Sequence, residues 1–556
     1  MKQFFLSVFL LVAFAGNLTV SAQKADYEII PLFKEAKVDS TKHFVLTDGM
    51  GVSFDASNPE VIRNVQFLCK WVEEATGLKL TLAPNDKNAA IRMTIAEQKT
   101  KKGEAAAELT EQQQEAYTIN VDKKGIAVEA VKPIGLFRAA QALRKTLPVM
   151  DNAKTTQISF PFATIKDEPR FSYRGVLLDC GRHFFSVEFI KEFLDMMALH
   201  GCNQFHWHLT EDQGWRFEVK AYPELAVKGS VRSETVVGPP SAGIYDGIPY
   251  GGYYTQADCR EVVRYAAERY INVVPEIDLP GHMQSALHVF PHLGCTGGPY
   301  PVRTYWGVSR EVLCGGNPAT MTFLKTVLGE LCDVFPSKFI HIGGDECPKD
   351  RWKSCSKCQA KIKELGLTTE GKRTAENKLQ THINAEVEKF MKERGRDIIG
   401  WDEILEGGLS GSSIVMSWRG VKGGIAAARQ GHRVIMSPNV YAYIDHPQLK
   451  DYGKQPRTTD SYIVSASKIH SFEPLLPDSL TAEQQKDILG YQVNLWTEHV
   501  AYPDHAFYQL LPRLGAACEV QWIAPEQKNF DSFKKRLPRL EKLYKLMGAT
   551  YCRSIE

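Results

Sequence analysis

The chain has 556 residues, of which 44% are hydrophobic, and its 67 lysines and arginines nearly balance its 65 aspartates and glutamates. This length exceeds the roughly 100 to 200 residues of an ordinary domain and predicts two or three domains. The balanced charge leaves no basic excess for nucleic acid or for a membrane surface, so it favours a small or neutral substrate.

The first 22 residues have the layout of a cleaved secretory signal. Lys2 precedes an apolar run from Phe4 to Ala15, and a small-residue "VSA" pattern follows. We therefore exclude this segment from the fold and expect the protein to be exported, to the periplasm or the extracellular space. We expect no membrane span, because no later segment approaches the roughly 18 uninterrupted apolar residues that a span requires.

Residues 23–165 are predicted to form a small α+β domain. Strand-like runs such as "HFVLTDG" and "AYTINVDKKGIAVEAV" accompany two amphipathic helices, "NPEVIRNVQFLCKWVEEATG" and "GLFRAAQALRKTL". The segment carries no convincing catalytic cluster.

Residues 166–510 contain eight short strand candidates separated by helices or long loops: "SYRGVLLD", "NQFHWHLT", "INVVPEI", "FIHIGG", "DIIGW", "SIVMSW", "RVIMSP" and "YQVNLW". Ser186 is placed to cap the first intervening helix and Gly201 to end it, while Thr255 and Asp258 have capping-box spacing. This alternation predicts a (β/α)8 TIM barrel, an α/β fold. Residues 511–556 have a largely helical pattern and are predicted to form a short C-terminal segment.

In such barrels the catalytic residues follow the C-terminal ends of the strands. Polar and aromatic side chains concentrate there in this chain, as "DCGRHF", "EDQGW", "DLPGH" and "DE" after the first four strands, then Trp401, Trp418, "YAYID" and "WTE". Three tryptophans on one rim, counting Trp496, are typical of a sugar pocket, although each alone is an ordinary core residue.

Asp345 and Glu346 are adjacent acids that follow the fourth strand and the pair Gly343-Gly344. Neighbouring side chains on an extended chain point to opposite faces, whereas paired catalytic carboxylates of glycosidases lie across the substrate, roughly 5 to 9.5 Å apart. The two acids are therefore expected to have separate tasks, one as a proton donor and the other as an orienting or stabilising group.

His206 and His208 face the same side of the second strand, as in some metal-dependent barrel hydrolases. Further ligands would have to come from other strand ends, where Asp278 and His282 are the obvious candidates. We favour hydrogen-bonding histidines and expect neither a metal nor an organic cofactor.

Twelve cysteines in an exported chain of this length are compatible with a few disulfides. Cys295 and Cys314 flank a Gly- and Pro-rich loop and are the preferred pair. Cys347, Cys355 and Cys358 suggest zinc only weakly, because a fourth ligand is not nearby in sequence, and a local disulfide or free thiols are favoured.

Taken in order, the motifs "RGVLLDCGRHFF", "HWHLTEDQGWR", "PEIDLPGH", "HIGGDE", "GWDEI", "YID" and "LWTE" resemble the family 20 glycoside hydrolases, the exo-acting β-N-acetylhexosaminidases. The resemblance covers residues 24 to 510. It implies substrate-assisted catalysis, in which the 2-acetamido oxygen of the substrate replaces the second carboxylate and forms an oxazolinium intermediate.

The resemblance also implies roles for individual residues. Glu346 matches the general acid, and Asp345 matches the residue that orients the acetamido group. The other matching residues surround the sugar: Arg182 and the acids Asp445 and Glu498 at its hydroxyls, Trp401, Trp418 and Trp496 around the acetamido methyl, Tyr443 at the acetamido oxygen, and Asp278 with His282 as a pair supporting the acid.

One position departs from the family pattern. Many members have two aspartates after "HWHL", where this chain has Glu211 and Asp212, so Glu211 should keep the charge but change its reach. The aromatic residue that covers the departing sugar is not identified, and Tyr452 and Tyr462 are the candidates.

The sequence thus predicts a retaining exo-glycosidase that removes terminal β-linked GlcNAc or GalNAc from glycans. A catalytically silent glycan-binding protein on the same fold and, less favoured, a metal-dependent hydrolase built on His206 and His208 are the alternatives. The natural glycan, the choice between GlcNAc and GalNAc, and the oligomeric state stay open.

Overall fold

The computed structural model describes residues 23–97, 108–150, 155–409, 411–459 and 461–555. The signal sequence expected at residues 1–22 lies outside the described residues. Within the described ranges, no helix combines the length and the apolar character needed to cross a membrane.

The N-terminal domain is one mixed β-sheet covered by two long helices. Asn58 caps the first helix by accepting hydrogen bonds from the backbone N–H groups of Glu60 and Val61, and Gly77 ends it in the left-handed conformation. The strands are Gln23–Lys24, Glu35–Thr47, Gly51–Ser53, Thr81–Leu82, Ile91–Ile95, Tyr117–Asp122, Gly125–Ala130 and Gln157–Asp167, and the helices are Pro59–Thr76, Glu111–Gln114 and Pro133–Thr146.

Eight parallel strands form a closed barrel, which confirms the predicted fold. Each strand is largely buried because its outer face packs on helices and its inner face fills the barrel. In chain order the strands are Tyr173–Asp179, Gln204–His208, Asn272–Glu276, Phe339–His341, Asp397–Trp401, Ile414–Ser417, Val434–Met436 and Ile488–Leu495, and each coincides with one of the eight predicted segments.

The connections between the strands differ in length and content. Ser186 caps the first barrel helix, and Thr255 and Asp258 form the predicted capping box. Between the fifth and sixth strands the described residues contain a 3-10 turn, Asp402–Leu405, and no α-helix, so this repeat departs from the ideal (β/α)8 pattern. The helices of the other connections are Val187–Leu199, Glu224–Val227, Gln256–Ala267, Gln284–Val289, Pro318–Val334, Asp350–Ser354, Ser356–Glu364, Ala375–Lys392, Lys422–Ala428, Asn439–Ala442, Ala466–Ser471 and Ala482–Gln485.

Three helices follow the last barrel strand: Pro503–Leu510, Arg513–Trp522 and Phe530–Leu546. The second of them packs against the eighth strand, and the third contacts the two long helices of the N-terminal domain. Arg536 on the third helix forms a 2.5 Å ion pair with Glu519 and donates a 2.7 Å hydrogen bond to the Ile29 carbonyl. The C-terminal segment thus joins the barrel to the N-terminal domain.

A buried ion cluster holds the same two domains together at the N-terminal end of the barrel. The Glu115 carboxylate lies 2.6 Å from Arg138 Nε and 2.6 Å from Arg174 Nη2, and all three side chains are almost fully buried. Burial would raise the pKa of Glu115, but the two guanidinium groups hold it below its usual value. Since Arg174 belongs to the first barrel strand, this ion cluster fixes the N-terminal domain to the barrel.

Candidate active site

The acid pair lies at the C-terminal end of the barrel, just after the fourth strand. Gly343 and Gly344 both adopt positive φ, and a Cβ atom on Gly343 would lie only 1.8 Å from Asp278 Oδ1. The turn therefore needs glycine at Gly343. Glu346 itself has φ +40°, an unusual conformation for a non-glycine residue, which separates its side-chain direction from that of Asp345.

His282 lies between the acid pair and a further acid, Glu211. Its Nδ1 atom is 3.0 Å from Glu211 Oε1, and its Nε2 atom is 3.5 Å from Glu346 Oε2 and 3.8 Å from Asp345 Oδ2. Burial by itself would lower the pKa of His282, but Glu211 and the neighbouring carboxylates raise it well above its usual value. The imidazole is therefore a cation that joins Glu211 to the acid pair.

Arg182 binds Glu211 from the other side. Its Nη2 atom lies 2.5 Å from Glu211 Oε1, and its Nη1 atom lies 3.4 Å from Asp179 Oδ2 at the end of the first strand. Burial would raise the pKa of Glu211, but the charges of Arg182 and His282 hold it well below its usual value. The residue that departs from the family pattern is thus an ionised bridge between Arg182 and His282.

Asp278 and Asp345 form a carboxyl pair beside the glycine turn. Asp278 Oδ1 accepts a 3.1 Å hydrogen bond from the Gly344 backbone N–H, while Asp278 Oδ2 and Asp345 Oδ1 are buried and have no hydrogen-bond partner among the described residues. Burial and the charge of Asp345 raise the pKa of Asp278 well above its usual value, and burial also raises the pKa of Asp345. The pKa of Asp278 is raised further than that of Asp345, so of the two coupled groups Asp278 has the stronger tendency to keep a proton.

Glu346 differs from its neighbour in exposure and in charge. Its side chain is 38% exposed, against 13% for Asp345. Partial burial would raise the pKa of Glu346, but its hydrogen bond to the His282 cation and that cation's charge hold it below its usual value. Of the two acids, Glu346 is the one that is more exposed to solvent.

Four aromatic side chains form a box beside the acid pair. Trp401 lies 5.8 Å from Trp496, Tyr443 lies 6.0 Å from Trp496, and Trp418 stacks on Tyr443 at 5.9 Å, measured between ring centroids. The guanidinium group of Arg182 lies over the Trp496 ring at 5.0 Å. These rings come from the fifth, sixth, seventh and eighth strand ends, which the barrel brings together.

Asp445 and Glu498 lie on the loops after the seventh and eighth strands. Burial and the charge of Glu498 raise the pKa of Asp445 to about 8. Asp445 Oδ1 and Glu498 Oε2 are buried, and neither accepts a hydrogen bond from another described residue. Acceptor atoms left in this state can bind ligand hydroxyl groups.

The structure therefore brings together, on one rim, all of the residues that the sequence analysis assigned to catalysis, substrate binding and support. Tyr462 also lies near the rim, where it stacks on His446 at 4.0 Å, beside Asp445. Tyr452 is 48% exposed in a short 3-10 turn.

Glu276, which the sequence analysis did not single out, is the centre of a polar cluster beneath the rim. Its carboxylate lies 3.0 Å from His206 Nε2 and 2.9 Å from His341 Nδ1, and it also contacts His208 Nδ1. Trp401 Nε1 donates a 3.0 Å hydrogen bond to the same carboxylate. Its position as an acid at the end of a buried strand was the sequence signal that could have identified Glu276.

The histidine pair that suggested a metal hydrolase takes part in this cluster. Burial would lower the pKa of His208, but Glu276 and Glu211 raise it to about 10, whereas burial and the neighbouring His341 lower the pKa of His206 to about 4. His208 is therefore a cation that compensates Glu276, and through Glu276 it supports the aromatic box at Trp401.

Glu403 is another rim acid that sequence reasoning missed. It accepts a 2.9 Å hydrogen bond from Trp418 Nε1, and burial together with the Asp345 charge raises its pKa to about 8. It follows Trp401 by two residues in the motif "GWDEI". This contact fixes the orientation of one wall of the aromatic box.

The predicted disulfide between Cys295 and Cys314 is wrong, because the structure leaves both as free thiols. Both sulfurs instead join those of Cys355 and Cys358 in a compact cluster. Two of the four thiols thus come from a different loop, which sequence spacing does not reveal. Cys347 lies outside this cluster.

Comparison with known families decides the assignment of the chain. The model of glycosyl hydrolase family 20, catalytic domain, matches residues 171–525, and the model of domain 2 of the same family matches residues 26–168. The chain belongs to glycosyl hydrolase family 20. Its two matched regions correspond to the barrel and the N-terminal sheet domain.

Several relatives of this family 20 protein carry the name beta-hexosaminidase. That of Porphyromonas gingivalis is 42% identical over 76% of this chain and 53% of its own length, and that of Vibrio furnissii is 38% identical over 72% and 64%. The chain thus spans between half and two thirds of these two relatives. The beta-hexosaminidase of Akkermansia muciniphila is 30% identical over 76% of this chain and 82% of its own length.

Solved structures of the family are similar over nearly the whole chain. A mutant Streptomyces plicatus beta-hexosaminidase in complex with the product GlcNAc has a TM-score of 0.78 and 28% identity, covering 95% of this chain and 97% of its own. The beta-N-acetylhexosaminidase of Bacteroides fragilis has a TM-score of 0.75 and 26% identity with the same coverage.

Proposed function

We propose that this family 20 protein is a retaining exo-β-N-acetylhexosaminidase that uses the acetamido group of its substrate as the nucleophile. The observation that carries the proposal is the division of labour between adjacent acids. Glu346 is partly exposed, whereas Asp345 is more deeply buried beside a box of four aromatic rings. An arrangement with one exposed acid and one acid beside an apolar box suits a substrate that supplies its own nucleophile.

In the first step, Glu346 gives a proton to the leaving oxygen while the acetamido oxygen attacks the anomeric carbon. The bond from the anomeric carbon to the leaving group breaks, and a cyclic oxazolinium ion forms. The bonds of the sugar ring itself stay intact. In the second step, Glu346 takes a proton from water, which opens the oxazolinium ion on the face that the leaving group vacated. The two displacements together give retention at the anomeric carbon.

Asp345 orients the acetamido group and compensates its positive charge. As a carboxylate it accepts a hydrogen bond from the acetamido N–H, and the larger rise in the pKa of Asp278 favours ionisation of Asp345 over that of Asp278. This charge acts in a desolvated site, where it stabilises the oxazolinium-like transition state more than it would in water.

The aromatic box supplies selectivity for the acetamido group. Trp401, Trp418 and Trp496 provide apolar walls for its methyl, and the Tyr443 hydroxyl is available to donate to its oxygen. A sugar with a 2-hydroxyl in place of the acetamide would leave this box empty and would lack the nucleophile.

Acceptor atoms at the closed end of the site support exo action on a terminal sugar. The unpaired carboxylate oxygens of Asp445 and Glu498, together with the nearby Arg182, provide partners for the hydroxyl groups of a non-reducing end. Such a sugar would also cover Glu346 and displace water from it. This desolvation raises the pKa of a carboxyl group and favours the protonated form that the first step needs.

The natural substrates that we propose are glycans ending in β-linked GlcNAc or GalNAc. The solved Streptomyces plicatus relative holds GlcNAc as its product, which supports this class of sugar. The signal-like N-terminus supports action on such glycans outside the cytoplasm.

Parallel hydrolysis of a nitrophenyl β-GlcNAc glycoside and the matching β-glucoside tests the proposal, with and without a thiazoline analogue of the oxazolinium ion. We expect cleavage of the acetamido sugar alone, and inhibition of that cleavage by the thiazoline. Equal cleavage of both sugars would remove the acetamide from the mechanism. Binding of GlcNAc without cleavage of either glycoside would instead indicate a silent glycan-binding protein.

A further inference from the structure

We propose that Cys295, Cys314, Cys355 and Cys358 form a tetrathiolate zinc site that joins the two loops bearing the acid machinery. Their four sulfur atoms all lie within 4.8 Å of one another. Cys314 and Cys358 are buried, and Cys295 is partly exposed. The site is separate from the sugar-binding rim and needs no part of the proposed glycosidase activity.

Three of the six separations between the sulfurs match tetrahedral zinc, and the others are within 4.8 Å. The Sγ atoms of Cys295 and Cys358 are 3.8 Å apart, those of Cys314 and Cys355 are 3.7 Å apart, and those of Cys314 and Cys358 are 3.6 Å apart. A tetrahedron with zinc–sulfur bonds of about 2.3 Å has edges of about 3.8 Å. Cys314 and Cys358 each take part in two of these three separations, so the sulfurs form a connected group rather than two isolated pairs.

The sequence positions of the ligands are also typical of zinc. Cys355 and Cys358 have Cys-x-x-Cys spacing, with Cys355 between the helices Asp350–Ser354 and Ser356–Glu364 and Cys358 in the first turn of the second helix, and the other two thiols come from a distant loop. The segment from Lys349 to Cys358 contains four basic residues and one acidic residue. Arg351 already pairs with Glu311, and the three lysines that remain outnumber Asp350, which suits the net negative charge of a zinc ion bound by four thiolates.

The two loops are pressed together around the thiols. A Cβ atom on Gly316 would lie 2.1 Å from the Lys357 carbonyl oxygen and 2.5 Å from the Cys358 backbone nitrogen, so this contact needs glycine. Trp352 Nε1 donates a 2.9 Å hydrogen bond to the Leu313 carbonyl across the same interface. These contacts hold the thiols in place from both sides.

The position of the cluster suggests its purpose. The loop of Cys295 and Cys314 follows the third strand and begins with Asp278 and His282, and the loop of Cys355 and Cys358 follows the fourth strand and begins with the acid pair. A metal that fixes these loops to each other would stabilise the separation between His282 and Glu346. It would act as a structural clip and would not touch the substrate.

Zinc content and thiol content of the purified protein test the proposal without any variant. We expect one zinc per chain by elemental analysis, and all twelve cysteines alkylated by N-ethylmaleimide after denaturation in chelator. Two disulfides within the cluster would leave eight alkylated cysteines and no stoichiometric zinc, and that result would overturn the proposal. Twelve free thiols without zinc, even after refolding in the presence of Zn²⁺, would overturn it as well.

Two variants then assign the site. Cys358→Ser and Cys295→Ser should each lower the zinc affinity roughly tenfold or more, while Cys69→Ser, a partly exposed cysteine in the N-terminal domain, should keep one zinc. Replacement of zinc by Co²⁺ in the wild-type protein should give the strong visible bands of tetrahedral cobalt thiolate, a readout that survives if the serine variants fail to fold. Octahedral cobalt spectra, or an unchanged zinc affinity of both serine variants in competition with a chelator, would contradict the assignment.

Loss of the metal should also lower the melting temperature, and Cys69→Ser should not. Because zinc content, thiol content and cobalt spectra do not depend on turnover, a protein that binds zinc but cleaves no glycoside would refute the proposed function and leave this site intact. A protein that cleaves the glycoside but holds no zinc would refute the zinc site and leave the proposed function intact.

Discussion

The two ends of the barrel use buried carboxylates in opposite ways. At the N-terminal end, Glu115 is enclosed by Arg138 and Arg174, and these charges lower its pKa. At the C-terminal end, Asp445 faces another acid, Glu498, and its pKa rises to about 8. Both carboxyl groups are buried, so burial alone does not decide the direction of the shift.

The difference shows what each end is arranged to do. At the N-terminal end the buried carboxylate is paired with arginines of the protein itself, and these ion pairs fix one domain to the other. At the C-terminal end acids outnumber bases and leave acceptor atoms unpaired, which costs stability but provides partners for a ligand. A charge removed from the first end should therefore reduce stability, and a charge removed from the second should reduce function.

Glu346→Gln should have the largest effect. Without the acid, kcat/KM on a GlcNAc disaccharide should fall roughly 10²- to 10⁴-fold, the usual contribution of general acid catalysis. The loss should be much smaller for a nitrophenyl glycoside, whose leaving group needs no proton. Kinetics on both substrates check this, with the exposed Glu364→Gln as control, and wild-type kcat/KM on the disaccharide would refute the assigned role.

Asp345→Asn should lower kcat/KM by about 10²- to 10³-fold, because an amide does not compensate the charge of the oxazolinium ion. In contrast to Glu346→Gln, the loss should be similar for the disaccharide and the nitrophenyl glycoside, since acetamido attack takes part in the departure of either leaving group. Measurement of the ratio between the two substrates separates the two roles. A loss confined to the disaccharide would mean that Asp345 acts on the leaving group instead.

Glu115→Ala should destabilise the protein by about 3 to 5 kcal/mol, because it leaves two buried guanidinium groups without their counter-charge. Activity per folded molecule should not change, since the site is at the opposite end of the barrel. Urea unfolding and active-site titration measure the two effects, and Glu129→Ala, exposed on a strand of the same domain, is the matched control. A loss of activity without a loss of stability would contradict a structural role for the carboxylate at the N-terminal end of the barrel.

Glu498→Gln should lower activity without lowering stability, the opposite of Glu115→Ala. Loss of one charge-assisted hydrogen bond to a sugar hydroxyl costs about 1.5 to 3 kcal/mol, which lowers kcat/KM roughly tenfold to a hundredfold. The melting temperature should stay the same or rise, because the variant removes the charge that repels Asp445. Kinetics and thermal unfolding on the same sample check both parts, and a clear fall in stability would show that Glu498 is a structural charge.

The pH dependence of stability tests the charge on His208 beneath the rim. Since the pKa of folded His208 is raised from 6.5 to about 10, its pairing with Glu276 contributes stability that is fully present below pH 6.5 and is lost as the pH rises through 10. Wild-type stability should therefore fall between pH 6.5 and 10 more steeply than that of His208→Gln. Urea unfolding at several pH values compares the slopes, and parallel curves would contradict the assigned charge.

Short local signals determined much of the fold. Each barrel strand is an apolar segment bounded by polar or glycine residues, and the helix starts at Ser186 and Thr255 depend on hydrogen bonds within three residues. The acid pair was also visible, because Asp345 and Glu346 follow directly after a strand. Interactions of this range are contained in the sequence itself.

Only the tertiary structure decided which distant groups meet. Glu276 becomes the centre of a cluster because three histidines from two other strands point into the same barrel, and the thiols of Cys314 and Cys355 meet across 41 residues. The missing helix after the fifth strand and the docking of the C-terminal helix on the N-terminal domain likewise depend on which surfaces are free to pack. Closure of the barrel sets these contacts, and no local periodicity in the chain records them.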